Sequence, residues 1–232
     1  MNLIYTMAGQ YARFKKEGFK IPKYLLPWGA SNILTTTIDL MAGGFDKIFF
    51  IVNKRDSQYF NHLKMIMKNK GISQDNIIVL SDTGSQNETA FEGLNQIKTE
   101  LQGPVFFHNV DTFLYNRDFK NIKHSIVNND GYIDVFNSNS HEYSYVISEK
   151  GQVMEVAEKV LISETASSGL YGFKDSRTYL KYYKSGFIID MFSEMIKDKC
   201  SVVHGYVHNE KDTKVLGTPK EYFDHTQFLL EK

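Results

Sequence analysis

Residues near the amino terminus have the types and spacing to hold phosphate. Ala8 and Gly9 are small enough for the backbone to approach a ligand closely, with exposed N–H groups able to face an anion. Arg13 and Lys23 supply two cations, one a planar fork and one a point charge, both suited to phosphate oxygens. They belong to the runs Met7-Ala8-Gly9-Gln10-Tyr11-Ala12-Arg13-Phe14 and Ile21-Pro22-Lys23-Tyr24-Leu25-Leu26-Pro27. A surface turn with solvated basic residues has the same composition, so these residues alone leave both readings open. A dinucleotide fingerprint is disfavoured: G-x-G-x-x-G is absent, and the second strand ends in Asn53 where ribose binding wants an acid.

A second group of residues could hold a metal. Phe106-Phe107-His108-Asn109-Val110-Asp111 reads as the end of a strand, and a carboxylate at such a tip suits Mg²⁺, which prefers oxygen ligands and substrate phosphates. Ser85 and Glu88 form a capping box ahead of a helical stripe. His204 and His208 lack further ligands at zinc spacing, and Cys200 is the single cysteine. No Ser-His-Asp or Cys-His constellation is visible.

The elements that must position these residues follow from hydrophobic pattern. Asn2–Met7, Asp46–Asn53, Asn76–Leu80 and Pro104–Asn109 are continuously apolar, as buried parallel strands are. Between them lie helix stripes: Leu34, Ile38 and Met41 behind a cap at Ser31; Phe60, Leu63 and Met67; and Ala90, Leu94, Ile97 and Leu101. This alternation predicts an α/β fold, one domain over 1–232, with a Rossmann-like, mostly parallel sheet flanked by helices. The parallel strands fall in the 1–115 half, and a smaller antiparallel part in 116–232. In that second half, strands are expected at Gly131–Asn137, Glu142–Ser148, Gln152–Val156, Ser168–Lys174 and Ser201–His208, and helices at Arg177–Lys184, Ile188–Lys199 and from Thr218 onward.

Bulk properties narrow the partners. The 232 residues are 42% hydrophobic and 14% aromatic, ample for a packed core. Lys+Arg and Asp+Glu balance at 27 each, so no net field draws the chain to nucleic acid or an anionic membrane. No stretch reaches the roughly 20 apolar residues that span a bilayer, and no basic-then-apolar leader opens the chain. The expectation is a cytoplasmic protein; oligomeric state is not readable.

The order A-G-x-x-x-R-F followed by I-P-K-x-L-L-P resembles the amino-terminal signature of the sugar-phosphate nucleotidyltransferases (nucleoside-diphosphate-sugar pyrophosphorylases), most of all the branch with a shortened M-A-G-x-G-S-R-F loop. The resemblance continues through Gln86 with Thr89-Ala90, Asn109-x-Asp111, Glu158-Lys159 before Gly169-x-Tyr171-x-Phe173, and Gly217-Thr218-Pro219. It implies that the loop wraps an NTP, with Arg13 and Lys23 on phosphates and Ala8 and Gly9 under base and ribose. Gln86, Thr89 and Asn109 would complete the nucleotide site, Asp111 would bind Mg²⁺, and Glu158, Lys159 and Gly169 would hold a small phosphorylated acceptor such as a sugar 1-phosphate. The implied activity is nucleotidyl transfer with pyrophosphate release, supplying precursors of surface polysaccharide; phosphocholine is an alternative acceptor. Attack by an already ionised acceptor phosphate needs no protein base, only positioning and charge neutralisation.

The sequence departs from this pattern at Tyr11, where that branch has glycine, at Val160, where many members have proline, and at Val215, where the second metal-binding aspartate is expected. Either Asp111 and phosphates hold the metal alone, or Asp212 or Glu210 reaches in, or activity is reduced. Two other classes therefore stay open: a catalytically weak nucleotide-binding or regulatory protein, and a nucleotide-sugar-dependent glycosyltransferase.

Overall fold

Alternation of side chains along the first strand fixes the layering of the whole molecule. Leu3 and Tyr5 point to one face and Ile4 to the other, and all three are fully buried, so both faces must be covered. The computed structural model describes residues 1–230. Nine strands form one sheet: β1 (Asn2–Thr6), β2 (Lys47–Asn53), β3 (Ile77–Leu80), β4 (Val105–His108), β5 (Gly131–Asn137), β6 (Tyr145–Glu149), β7 (Gln152–Ala157), β8 (Thr165–Phe173) and β9 (Val202–His204). Their order across the sheet is β3-β2-β1-β4-β8-β5-β9-β7-β6. The first four are mutually parallel, β8 runs antiparallel to β4 and β5, and β9 rejoins β5 in parallel.

The helices are α1 (Ala12–Lys16), α2 (Ile33–Leu40), α3 (Phe60–Asn69), α4 (Gln86–Ile97), α5 (Phe119–Asn128), α6 (Ser176–Tyr182), α7 (Ile189–Lys197) and α8 (Pro219–Leu230). On the Ile4 face, Ala90, Leu94 and Ile97 of α4 and Met191, Phe192 and Met195 of α7 pack against the sheet. On the Leu3 face, Leu34 and Ile38 of α2, Leu63, Ile66 and Met67 of α3, and Ile122 and Ile126 of α5 do the same. Each such Leu, Ile, Phe or Met contributes about 1.5–3 kcal/mol by leaving water. A third, smaller core joins Phe14, Leu26, Trp28, Ile33, Phe113, Leu216 and Tyr222, and Tyr222 donates its hydroxyl to the Pro27 carbonyl at 2.8 Å. That core ties the start of α8 to the amino-terminal loop.

The expected parallel strands and their helices are present, and the chain is a single α/β domain. Details differ for identifiable reasons. Asn32 caps α2 in place of Ser31: its side chain accepts from the Thr35 N–H at 2.8 Å, while Ser31 pairs with Trp28 in a two-residue ladder. Ser85 caps α4 as expected, but Glu88 turns to the Gly84 N–H instead of completing the box. Leu101 lies beyond α4, which ends at Ile97. The strand expected at Glu142–Ser148 begins only at Tyr145, because Ser140–Tyr143 forms a turn closed by backbone and by the Tyr145 hydroxyl on Ser140 O. Ser201–His208 is reduced to Val202–His204 plus a bridge from His208 to Phe136. Pattern reading missed α1, α5 and the two-stranded ladder of Thr112–Leu114 with Thr213–Val215. Among the described residues, no helix is long and apolar enough to cross a membrane.

Candidate active site

Parallel strands deliver their loops to one edge. Tyr5 and His108 are register partners in β1 and β4, so the loop after Thr6 and the segment Asn109–Asp111 lie side by side at the carboxyl ends of these strands. A cavity of about 240 Å³ opens there, lined among others by Gly9, Tyr11, Lys23, Gln86, Asn109 and Asp111. The Lys23 ammonium pairs with the Asp111 carboxylate, their side chains 20% and 15% exposed. Burial opposes ionisation of Asp111, but the charge and hydrogen bond of Lys23 win, and its pKa lies below the usual carboxylate value. His108 beneath it is fully buried; burial lowers its pKa to about 4, so its Nε2–H donates to the Thr112 carbonyl at 3.0 Å.

A second cavity, of about 160 Å³, adjoins the first, and Gln86 and Asn109 line both. Gln86 donates to Asn109 Oδ1 and, at 3.2 Å, to Thr6. The second cavity is bounded by Glu142, Tyr143, Glu158, Gly169, Phe187 and Val215. Gly169 is required here twice over. Its φ of +83° is left-handed, and a Cβ would stand 2.5 Å from Asn109 Nδ2. It lies in the register shift of β8 between Ser167 and Tyr171, a bulge that turns the strand toward the cleft.

The structure gathers Gly9, Lys23, Gln86, Asn109, Asp111, Glu158 and Gly169 around the paired cavities. It leaves four expected residues outside their walls. Ala8 is buried and presents its carbonyl to Arg55. Thr89 is buried on α4, bonded to Thr83 and to Ser85 O. Arg13 is exposed on α1. Lys159 is exposed at a left-handed φ of +54°, its ammonium 5.5 Å from the Phe187 ring centroid.

Val215 lines the second cavity and sits near Gly217, whose would-be Cβ lies 3.6 Å from Asp111 Oδ2 and 3.5 Å from Glu221 Oε2. Neither residue named as a substitute acid takes its place. Asp212 accepts from Asn116 Nδ2 at 2.7 Å, and Glu210 lines an adjoining depression that shares Tyr143 and Val215 with the second cavity.

Three features escaped sequence reasoning. Arg55 holds the carbonyls of Ala8 and Gly9 at 2.7 and 2.8 Å and pairs with Asp82, so it braces the loop after β1. The signal was available: Asn53-Lys54-Arg55-Asp56 follows a parallel strand, as the first loop does. Tyr11 occupies a left-handed φ of +38°, its hydroxyl on buried Asp56 and the Arg55 guanidinium 5.7 Å from its ring. Arg117 and Asp134 form a wholly buried ion pair at 2.8 Å, which also takes Ser168 at 2.6 Å and Thr213 at 2.7 Å. Nothing local in sequence links residues so far apart.

No family model matches the chain, and no curated protein matches it in sequence. Among solved structures, the nucleoside-diphosphate-sugar pyrophosphorylase from Vibrio cholerae RC9 is similar at 26% identity and a TM-score of 0.85, over 99% of this chain and 100% of that one. The inositol-1-phosphate CTP transferase from T. maritima is similar at 12% identity and a TM-score of 0.74, over 100% of this chain and 95% of that one. The chain has a sugar-phosphate nucleotidyltransferase-like fold.

Proposed function

We propose that this protein transfers the nucleotidyl group of an NTP to a small phosphorylated acceptor of the sugar 1-phosphate class and releases pyrophosphate. The observation that supports it most is the pair of adjoining cavities sharing Gln86 and Asn109, one with Lys23 and Asp111, the other beyond them. Two substrates seated there would meet near these shared residues. An oxygen of the acceptor phosphate forms a bond to the α-phosphorus as the bond to the pyrophosphate oxygen breaks. The nucleophile is already ionised near neutral pH, so the protein's work is alignment and neutralisation. Lys23 exchanges the Asp111 carboxylate for phosphate oxygens as the NTP enters, and Gly9 lets the loop close on them. Arg13, beside that loop on α1, joins when it closes.

The donor set fits Mg²⁺ arriving on the NTP rather than a resident ion. Asp111 is a lone carboxylate in the first cavity, and among the described residues no cluster of three His, Cys, Asp or Glu could hold a metal. Mg²⁺ needs few protein ligands when phosphates supply the rest. Bound in this way, it would neutralise phosphate charge next to Asp111. A role in supplying activated precursors of surface polysaccharide is part of the same proposal.

Val215 and Tyr11 favour one second reading, a nucleotide-binding protein with little turnover. Pyrophosphate release should be measured with each of the four NTPs against a panel of sugar 1-phosphates and phosphocholine. Release with at least one pair is expected; tight nucleotide binding without release from any pair would favour the second reading.

A further inference from the structure

Resting on the transferase reading, we infer that Arg55 is a positioning residue for the triphosphate. By holding two successive carbonyls of the loop after β1, it turns the N–H groups on the other side of those peptides outward, where phosphate oxygens can take them.

The inference begins with peptide geometry. Every peptide bond of the described chain is trans, so the carbonyl of one residue and the N–H of the next leave opposite sides of one plane. Arg55 Nη2 draws the carbonyls of Ala8 and Gly9 to itself at 2.7 and 2.8 Å. The N–H groups of Gly9 and Gln10 are therefore directed away from the guanidinium. Both residues are exposed, and among the described residues neither N–H donates to a backbone acceptor. Gly9 lines the first cavity. Successive free N–H groups of this kind form an anion-binding concavity.

Arg55 is itself held on two sides. Its backbone N–H donates to Asn53 Oδ1 at 2.9 Å, and its Nη1 pairs with Asp82, which also accepts from Asn53 Nδ2 at 2.9 Å. Asp82 follows β3 and precedes Gln86 by four residues, so one guanidinium ties the ends of three parallel strands together. The neighbouring Asp56 takes the Tyr11 hydroxyl. The loop is thus gripped at residues 8, 9 and 11, with Gln10 between. Arg55 lines neither cavity, so it acts on the ligand through the loop. A planar fork is what the role requires; a lysine at this position keeps the charge but not the simultaneous bonds to two carbonyls and a carboxylate.

The test measures direct binding to the full chain, without acceptor, of the NTP that the wild-type protein binds most tightly and of its parent nucleoside. Arg55→Lys should weaken NTP binding about tenfold or more and nucleoside binding less than about threefold, because the displaced N–H groups serve phosphate alone. Asp82→Ala removes the anchor from an exposed carboxylate and should weaken NTP binding in the same direction by a smaller factor. It decides alone if Arg55→Lys does not fold. Unchanged NTP binding in the folded variants would overturn the positioning role and leave the transferase reading standing. Equal weakening of NTP and nucleoside would also overturn it, since Arg55 would then support the site as a whole. No binding of any NTP to the wild-type protein would overturn the transferase reading, and the positioning role with it.

Discussion

The two halves of the cleft are built on different principles. The proposed nucleotide half hangs from parallel strands with mostly apolar residues, and three of its residues follow their ends: Gly9 after β1, Gln86 after β3, Asp111 after β4. The proposed acceptor half is assembled from β8, the segment before β6, the residues after β7 and the Thr213–Val215 ladder, held by the buried Arg117–Asp134 pair. One half is organised by local order along the chain, the other by contacts between distant residues. Sequence reading could therefore reach the first and only sample the second.

The largest expected effect tests what holds the acceptor half together. Arg117→Met leaves Asp134 buried without its counter-charge and should lower stability by about 3–5 kcal/mol, read from urea unfolding. Adding Asp134→Leu should restore much of the loss, since two apolar side chains leave no buried charge behind. A loss below about 1 kcal/mol for the single variant would mean that the pair does not organise this half.

The nucleotide half has its own buried titratable group, and it gives a pH signature. His108 titrates near 4 when folded, because burial disfavours the imidazolium. In the unfolded chain it titrates near 6.5. The unfolded state therefore binds more protons between these values, and stability is lost as pH falls from about 6.5 toward 4. Between pH 7 and pH 5 this group should remove about 2 kcal/mol. His108→Phe should show a shallower loss than wild type over that interval in paired urea titrations; identical slopes would contradict the neutral buried imidazole.

A smaller effect is expected at Tyr11, which stands where the resembling branch has glycine. Glycine would relieve a left-handed φ that costs a tyrosine roughly 1 kcal/mol. It would also strip buried Asp56 of the Tyr11 hydroxyl: Asp56 Oδ2 already lacks a partner, and Oδ1 takes that hydroxyl. An unsatisfied buried acceptor costs about 1–3 kcal/mol or more. Tyr11→Gly should thus lower Tm modestly rather than raise it. A clear gain in Tm would show that Tyr11 brings only strain.

These contrasts explain what was legible. Lys23 and Asp111 were singled out from residue type and their place after parallel strands, and Gly169 from its place in a pattern with Tyr171 and Phe173; all three line the paired cavities. Arg13, Thr89 and Lys159 matched that pattern equally well, yet none of them lines the cavities. Direction depends on helix phase and loop conformation, which spacing does not carry. Arg117 and Asp134 were invisible because a buried polar residue, whether in a loop before α5 or within the apolar β5, has no meaning until its partner is known. The ladder of Thr112–Leu114 with Thr213–Val215 is three residues long on each side, too short for periodicity to register.

The most direct test of the transferase assignment is pyrophosphate release by Asp111→Asn beside the wild-type protein, with matched circular dichroism and Mg²⁺ supplied with the NTP. Loss of the carboxylate charge leaves Lys23 without its partner and the incoming metal without its protein ligand, so release should fall by about 10²-fold or more, the scale of a lost oriented electrostatic contact. Release at the wild-type rate from a folded Asp111→Asn protein would contradict the placement of the reaction between these two cavities.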